Sequence, residues 1–111
     1  MNYHDRRFRP VSNSENGQVS SEMVFHYQQH GSILTCAYSG GAIRSGHLIG
    51  LVDEQGNIDM RYHQVDALGE LRTGTCRSRP ERTVDGKLRL MEEWQWTSGD
   101  GSAGSSVLEE V

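Results

Sequence analysis

Five histidines and two cysteines are the side chains of this 111-residue chain best suited to hold a metal or to act as base and nucleophile. Their spacing supports neither use. A structural zinc site needs four ligands, usually from two close pairs. Cys36 and Cys76 each stand alone, and His26-x-x-x-His30 forms a ligand pair only on a helix. His47 and His63 can face one another across two strands, but no third ligand accompanies them. Ser39-Gly40-Gly41 could cradle an anion through backbone N–H groups. No Lys-Ser/Thr and no helix follows it, so a sharp bend between strands is the reading taken. No catalytic residue, metal ligand or cofactor is assigned, and whether the chain is an enzyme stays open. Both thiols are read as reduced, buried and inert.

The other available chemistry is recognition. Arg72, Gln64, Tyr62 and Tyr38 can hydrogen-bond a polar group, Glu92 can accept from one, and Trp94 and Trp96 can supply an apolar wall. These seven residues act together only if the chain brings them to one face of one surface.

The elements that could do so are strands. Alternating patterns predict them at 20–28, 32–38, 43–53, 57–66, 70–79, 87–97 and 105–110, after an N-terminal arm and a polar turn cluster, SNSENGQ, at 12–18. No stretch sustains apolar spacing at i, i+3, i+4, i+7 for the length of a helix. Val52-Asp53-x-x-Gly56-Asn57-Ile58 returns as Val65-Asp66-x-x-Gly69-Glu70-Leu71. An Asp opening a type I turn can bond its own backbone, and a Gly closing it can take the left-handed conformation and form a bulge. Thr83-Val84-Asp85-Gly86 reads as a third copy.

These turns set the register. Asp53 pairs with Asn57, Asp66 with Glu70 and Thr83 with Lys87. One face then collects Leu48, Val52, Ile58, Met60, Cys76, Leu88, Leu90, Trp94 and Trp96, with polar Tyr62, Gln64, Arg72, Ser78 and Glu92. The other face collects charges that oppose in sign, as in Asp59–Arg77, Arg77–Glu93 and Glu81–Arg89. A two-residue Asp85-Gly86 turn would instead put both Trp beside Arg77. Gly74 falls opposite Trp96, leaving room for the indole. A His30-Gly31 turn pairs Gln29 with Ser32 and sets Met23, Phe25 and Tyr27 against Leu34, Cys36 and Tyr38.

The architecture expected is all-β, an antiparallel meander of seven or eight strands spanning 1–111 as one domain. It closes into a small up-and-down barrel of the calycin or avidin kind, since closure removes the exposed edges. Arg72, opposite Gln64 and near a turn, then stands at the barrel mouth, where a small polar or anionic ligand would be oriented. A structural Arg72–Glu92 pair is the competing reading, and a module that only oligomerises is a third, because Ile49, Leu51 and Val65 lie on the outer face. A net charge of −4 with no Lys/Arg run excludes an ordinary nucleic-acid binder. With no apolar leader and no run of membrane-spanning length, the chain reads as cytoplasmic.

The strings NSENG, YSGGAIRSGHLIGLVDEQGNIDMRYHQV and WQWTSGDGSAGSS resemble a family of small bacterial proteins of similar length, often labelled N-acetylglutamate synthase. That label implies acetyl transfer from acetyl-CoA to glutamate. The usual acetyltransferase fold binds pyrophosphate on a Gln/Arg-x-x-Gly-x-Gly/Ala loop that opens a helix. The nearest string here is Gln28-x-x-Gly31-x-Ile33, with a β-branched residue last and a strand after it.

Overall fold

The computed structural model describes residues 2–14, 17, 18 and 22–111. Among them the chain forms nine strands: β1 Arg7–Asn13, β2 Phe25–His26, β3 Gln28–His30, β4 Ile33–Gly40, β5 Ile43–Val52, β6 Ile58–Asp66, β7 Leu71–Arg82, β8 Leu88–Trp96 and β9 Ala103–Glu110. Every pairing is antiparallel, in the order β2-β1-β9-β8-β7-β6-β5-β4-β3. The two edge strands, β2 and β3, are consecutive in the chain, separated only by Tyr27. The sheet therefore has to roll until its edges meet. The Phe25 ring of β2 packs on the Tyr38 ring of β4, 5.0 Å between centroids, across that seam. The result is a nearly closed up-and-down barrel, the architecture expected from the sequence.

The three hairpins use one device. At Asp53 the carboxylate accepts from the N–H groups of Gln55 and Asn57, each at 2.9 Å. Asp66 does the same for Leu68 at 3.0 Å and Glu70 at 2.9 Å. Gly56, Gly69 and Gly86 close the turns at φ 85°, 80° and 83°, where a Cβ is strained. In the third copy Thr83 takes the opening place, and Gly86 N–H donates to its carbonyl at 3.0 Å. The expected register follows: Val52 opposes Ile58, Tyr62 opposes Gly74, and Gly74 opposes Trp96. Alternate residues of β5 to β8 are accordingly buried, Leu48, Ile58, Met60, Cys76, Leu90, Trp94 and Trp96 among them. Pro80 is accommodated because β6 ends opposite Ser78, leaving β7 with β8 alone at that point.

Three expectations are corrected. The N-terminal arm is a strand: β1 pairs with β9 on one side and β2 on the other, with Phe8 wholly buried. The strand expected at 20–28 is short, and its first two residues lie outside the described ones, as do Glu15 and Asn16 of the polar cluster. The chain at 25–30 serves two neighbours, β2 bonding β1 and β3 bonding β4, with Tyr27 N–H donating to the Arg6 carbonyl at 2.9 Å. The β3–β4 turn lies one residue later than expected, so His30 opposes Ile33 and Gln29 opposes Leu34. A shift of two in pairing preserves facing, and Met23, Phe25 and Tyr27 stay inside. On the outer face the expected cross-strand neighbours hold, Asp59 opposite Arg77, Arg77 opposite Glu93 and Glu81 opposite Arg89, while the ion pairs there are Asp59–Arg61 at 2.8 Å and Arg89–Glu109 at 3.1 Å. Long side chains on an exposed sheet reach along a strand as readily as across it.

Ile33 and Leu51 oppose one another on the outer surface beside Ile49, each about half exposed. The string Gln28 to Ile33 is the β3–β4 hairpin, with Gly31 at φ 63°, and opens no helix.

Candidate functional site

A cavity of about 60 Å³ lies inside the barrel. Six of the seven residues expected to share a site line it: Tyr38, Tyr62, Gln64, Glu92, Trp94 and Trp96. The seventh, Arg72, does not. It keeps its place opposite Gln64, but its guanidinium lies over the Trp96 ring, 4.0 Å from the centroid, partly exposed at the mouth. The cation thus covers one face of a ring that also lines the cavity.

Room for these rings comes from glycine. Tyr38 opposes Gly46, Tyr62 opposes Gly74 and Trp94 opposes Gly104. A Cβ on any of the three would stand 2.3 to 2.5 Å from the ring. Each aromatic therefore lies against the backbone of its cross-strand partner. The space at Gly74, expected for the Trp96 indole, belongs to Tyr62. Tyr62 and Trp96 meet edge to face at 5.6 Å, and Trp96 and Trp94 at 5.9 Å.

Polar groups converge at two levels. Near the mouth Tyr38 donates to Gln64 Oε1 at 2.9 Å, Gln64 Nε2 donates to Gln18 Oε1 at 2.7 Å, and Gln18 Nε2 donates to Asp66 at 3.1 Å. The Glu70 N–H and the Gln18 amide hold the Asp66 carboxyl below the usual carboxylate range. Deeper in, Ser78 and Ser106 donate to the two oxygens of Glu92 at 2.8 and 3.0 Å. Burial pushes the Glu92 pKa up, and the hydrogen bonds from Ser78, Ser106 and Cys76 work against that. The competing Arg72–Glu92 pair is not formed. Tyr27, wholly buried and lining the cavity, keeps its hydroxyl without a hydrogen-bond partner. At the other end of the barrel the Tyr3 hydroxyl donates to the Gly56 carbonyl and closes the floor.

Sequence reasoning missed Gln18, Asp66 and Tyr27. Tyr27 was visible as an inward aromatic, though not as a polar group. Asp66 was visible only as a turn former, and nothing in SNSENGQ singles out Gln18. The remaining candidates stay apart from the cavity chemistry. His47 and His63 oppose one another on the outer face, 5.7 Å between ring centroids. No cluster of three metal-ligating side chains occurs among the described residues. Cys36 and Cys76 are buried free thiols, and burial pushes Cys36 up to about 12.

The chain is matched over residues 1–111 by a family model described as "Avidin-like protein". The chain belongs to the avidin-like family. The match covers the whole barrel, β1 included. Searches of the curated proteins and of the solved structures return no match. In this avidin-like chain the cavity, the Gln64 relay at its mouth and the Glu92 carboxylate within it are the features that a ligand would meet.

Proposed function

We propose that this avidin-like chain binds a small polar molecule in the barrel cavity and performs no covalent chemistry on it. The observation that carries the reading is the convergence of six residues from three strands, Tyr38 of β4, Tyr62 and Gln64 of β6, and Glu92, Trp94 and Trp96 of β8, on one space. A ligand site of this kind needs apolar walls for the body of the ligand and a few fixed polar groups for its orientation. The rings supply the first. The Tyr38–Gln64 pair and the Glu92–Ser78–Ser106 group supply the second. At about 60 Å³ the cavity admits roughly four water-sized groups, so it holds the head of a ligand and leaves the rest toward Arg72. An anionic substituent on that outer part would meet Arg72, and one on the head would meet Glu92. The family's small ligands, biotin among them, support the class of activity.

The acetyltransferase alternative has less support. A nucleophilic mechanism would need an ionised thiol, and Cys36 stays protonated in its buried position. The pyrophosphate loop that the label requires corresponds to a hairpin here. Purified protein is expected to release no CoA from acetyl-CoA and glutamate.

Native mass spectrometry tests the binding reading. The barrel is expected to carry, or to take from a metabolite panel that includes biotin, a small molecule that unfolding releases. A barrel that stays empty across the panel, with no compound raising its melting temperature, refutes it.

A further inference from the structure

Glu92 presents a problem that the barrel itself leaves unsolved. Its carboxylate faces the cavity between two serine hydroxyls, and among the described residues no Arg, Lys or His forms an ion pair with it. Glu92 is partly buried, and a carboxylate withdrawn from solvent without a counter-charge is costly. Tyr27, on the same cavity, has a wholly buried hydroxyl with no partner, and its pKa is raised by burial and by the charge of Glu92. Two polar groups of one site are thus short of a donor. Around them stand the rings of Tyr38, Tyr62, Trp94 and Trp96. Ring faces attract cations, and a cage of them beside a carboxylate is the surrounding that suits an organic ammonium. The barrel's own guanidinium already uses a face of one of these rings, Arg72 over Trp96. The mouth does not repel a cation, because Asp66 and Asp100 both lie within Coulombic reach of Arg72 and outnumber it.

We propose that the deep end of the cavity binds the head of a protonated amine, its charge against Glu92 and one N–H donated to the Tyr27 hydroxyl. This rests on the binding reading above and narrows it: the head that enters is cationic, and any anionic part of the same molecule stays outside, at Arg72. The size agrees, since an alkylammonium head occupies a few water-sized volumes.

The test uses three probes of one shape, n-butylammonium, 1-butanol and butanoate, each titrated at pH 8 and matched ionic strength into the full-length protein. The readout is the pair of indole N–H resonances of Trp94 and Trp96 in a proton–nitrogen correlation spectrum. Butylammonium is expected to shift both, with a Kd about tenfold or more below that of 1-butanol. Glu92→Gln keeps the shape and one serine bond, the other hydroxyl turning to accept from the new amide N–H, and is expected to erase that preference while the spectrum stays dispersed. Tyr27→Phe is expected to weaken butylammonium and leave 1-butanol unchanged. Equal binding of alcohol and ammonium, preference for butanoate, or a preference that survives Glu92→Gln overturns the proposal and leaves the binding reading intact. Silence from all three probes overturns it as well, and the native mass spectrum then decides the binding reading separately. Should Glu92→Gln fail to fold, charge selectivity on the unmodified chain decides alone.

Discussion

Replacing Gly74 by Ala tests whether the glycines exist to seat aromatic rings. The new Cβ would stand 2.3 Å from Cζ and Oη of Tyr62 and 2.8 Å from the Gln95 carbonyl oxygen. Ordinary contact begins near 3.4 Å, so the ring must withdraw by about 1 Å while the neighbouring strand gives a few tenths more. Tyr62 is held edge-on by Trp96, so withdrawal disturbs both rings. Overpacking of this kind costs roughly 1–3 kcal/mol, and the gain from replacing Gly within a strand returns roughly 0.5–1 kcal/mol. A net loss of about 1–2 kcal/mol is expected, a fall in Tm of roughly 4–15 °C for a domain of this size. Urea titration followed by near-ultraviolet circular dichroism reads both the midpoint and the aromatic packing. Gly69→Ala is the control, because nothing lies within 4 Å of its Cβ and its cost comes from φ +80° alone. It is expected to lower the midpoint without altering the aromatic spectrum. A double-mutant cycle with Tyr62→Ala separates ring from backbone. If the clash is with Tyr62, the Gly74→Ala cost shrinks by about 1 kcal/mol or more in that background. An unchanged midpoint and spectrum for Gly74→Ala, or full additivity in the cycle, would refute the reasoning.

Glu92 has its pKa raised mainly by burial, so the folded state binds this proton more tightly than the unfolded state. Stability should therefore fall as pH rises from the unfolded value through the folded one, and Glu92→Gln should gain in Tm over the parent as pH increases from 4 to 8. A gap between the two that is independent of pH contradicts the assignment. Asp66 is the opposite case, held below its usual range by Glu70 N–H and Gln18. Its contribution is present above the unfolded pKa and is lost as pH falls through the folded one, so Asp66→Asn should flatten the acid limb of the stability profile. Arg72→Ala removes a partly exposed cation–π contact, worth about 0.5–1 kcal/mol. Denaturation should show that small loss, and a loss of several kcal/mol would mean that Arg72 is a buried structural partner after all.

How much of this was legible depended on sequence separation. The hairpins at Asp53, Asp66 and Thr83 are local, and an Asp-x-x-Gly turn determines its own bonds, so the register of β5 to β8 followed from counting. With it came the facing of Tyr62, Gln64, Glu92, Trp94 and Trp96. What counting does not supply is direction within a face. Arg72 has the inward parity of Gln64, but its long side chain stacks on Trp96, partly exposed, and does not line the cavity. Strand β1 was hidden because Phe8 and Pro10 are its only buried residues and its partner β9 lies about a hundred residues away. The double pairing around Tyr27 was hidden for the same reason, since it depends on β1. Gln18 reaches Gln64 and Asp66 from a stretch with no alternation at all.

The cavity itself follows from the glycine–aromatic pairs. A barrel of eight or nine strands has an interior that side chains ordinarily fill. Here four tyrosines, two tryptophans and two phenylalanines share a chain with 13 glycines. Were the rings of Tyr38, Tyr62 and Trp94 opposed by side chains, they would have to point toward the barrel axis and occupy it. Opposed by Gly46, Gly74 and Gly104, they lie back against the wall, with ring atoms where a Cβ would otherwise be. The same glycine pattern that thins the wall leaves space between the rings that line the cavity. The Asp66–Gly69 turn, which sets the β6–β7 register, thus also places Gly74 opposite Tyr62. The empty positions, more than any single polar residue, make this barrel a container.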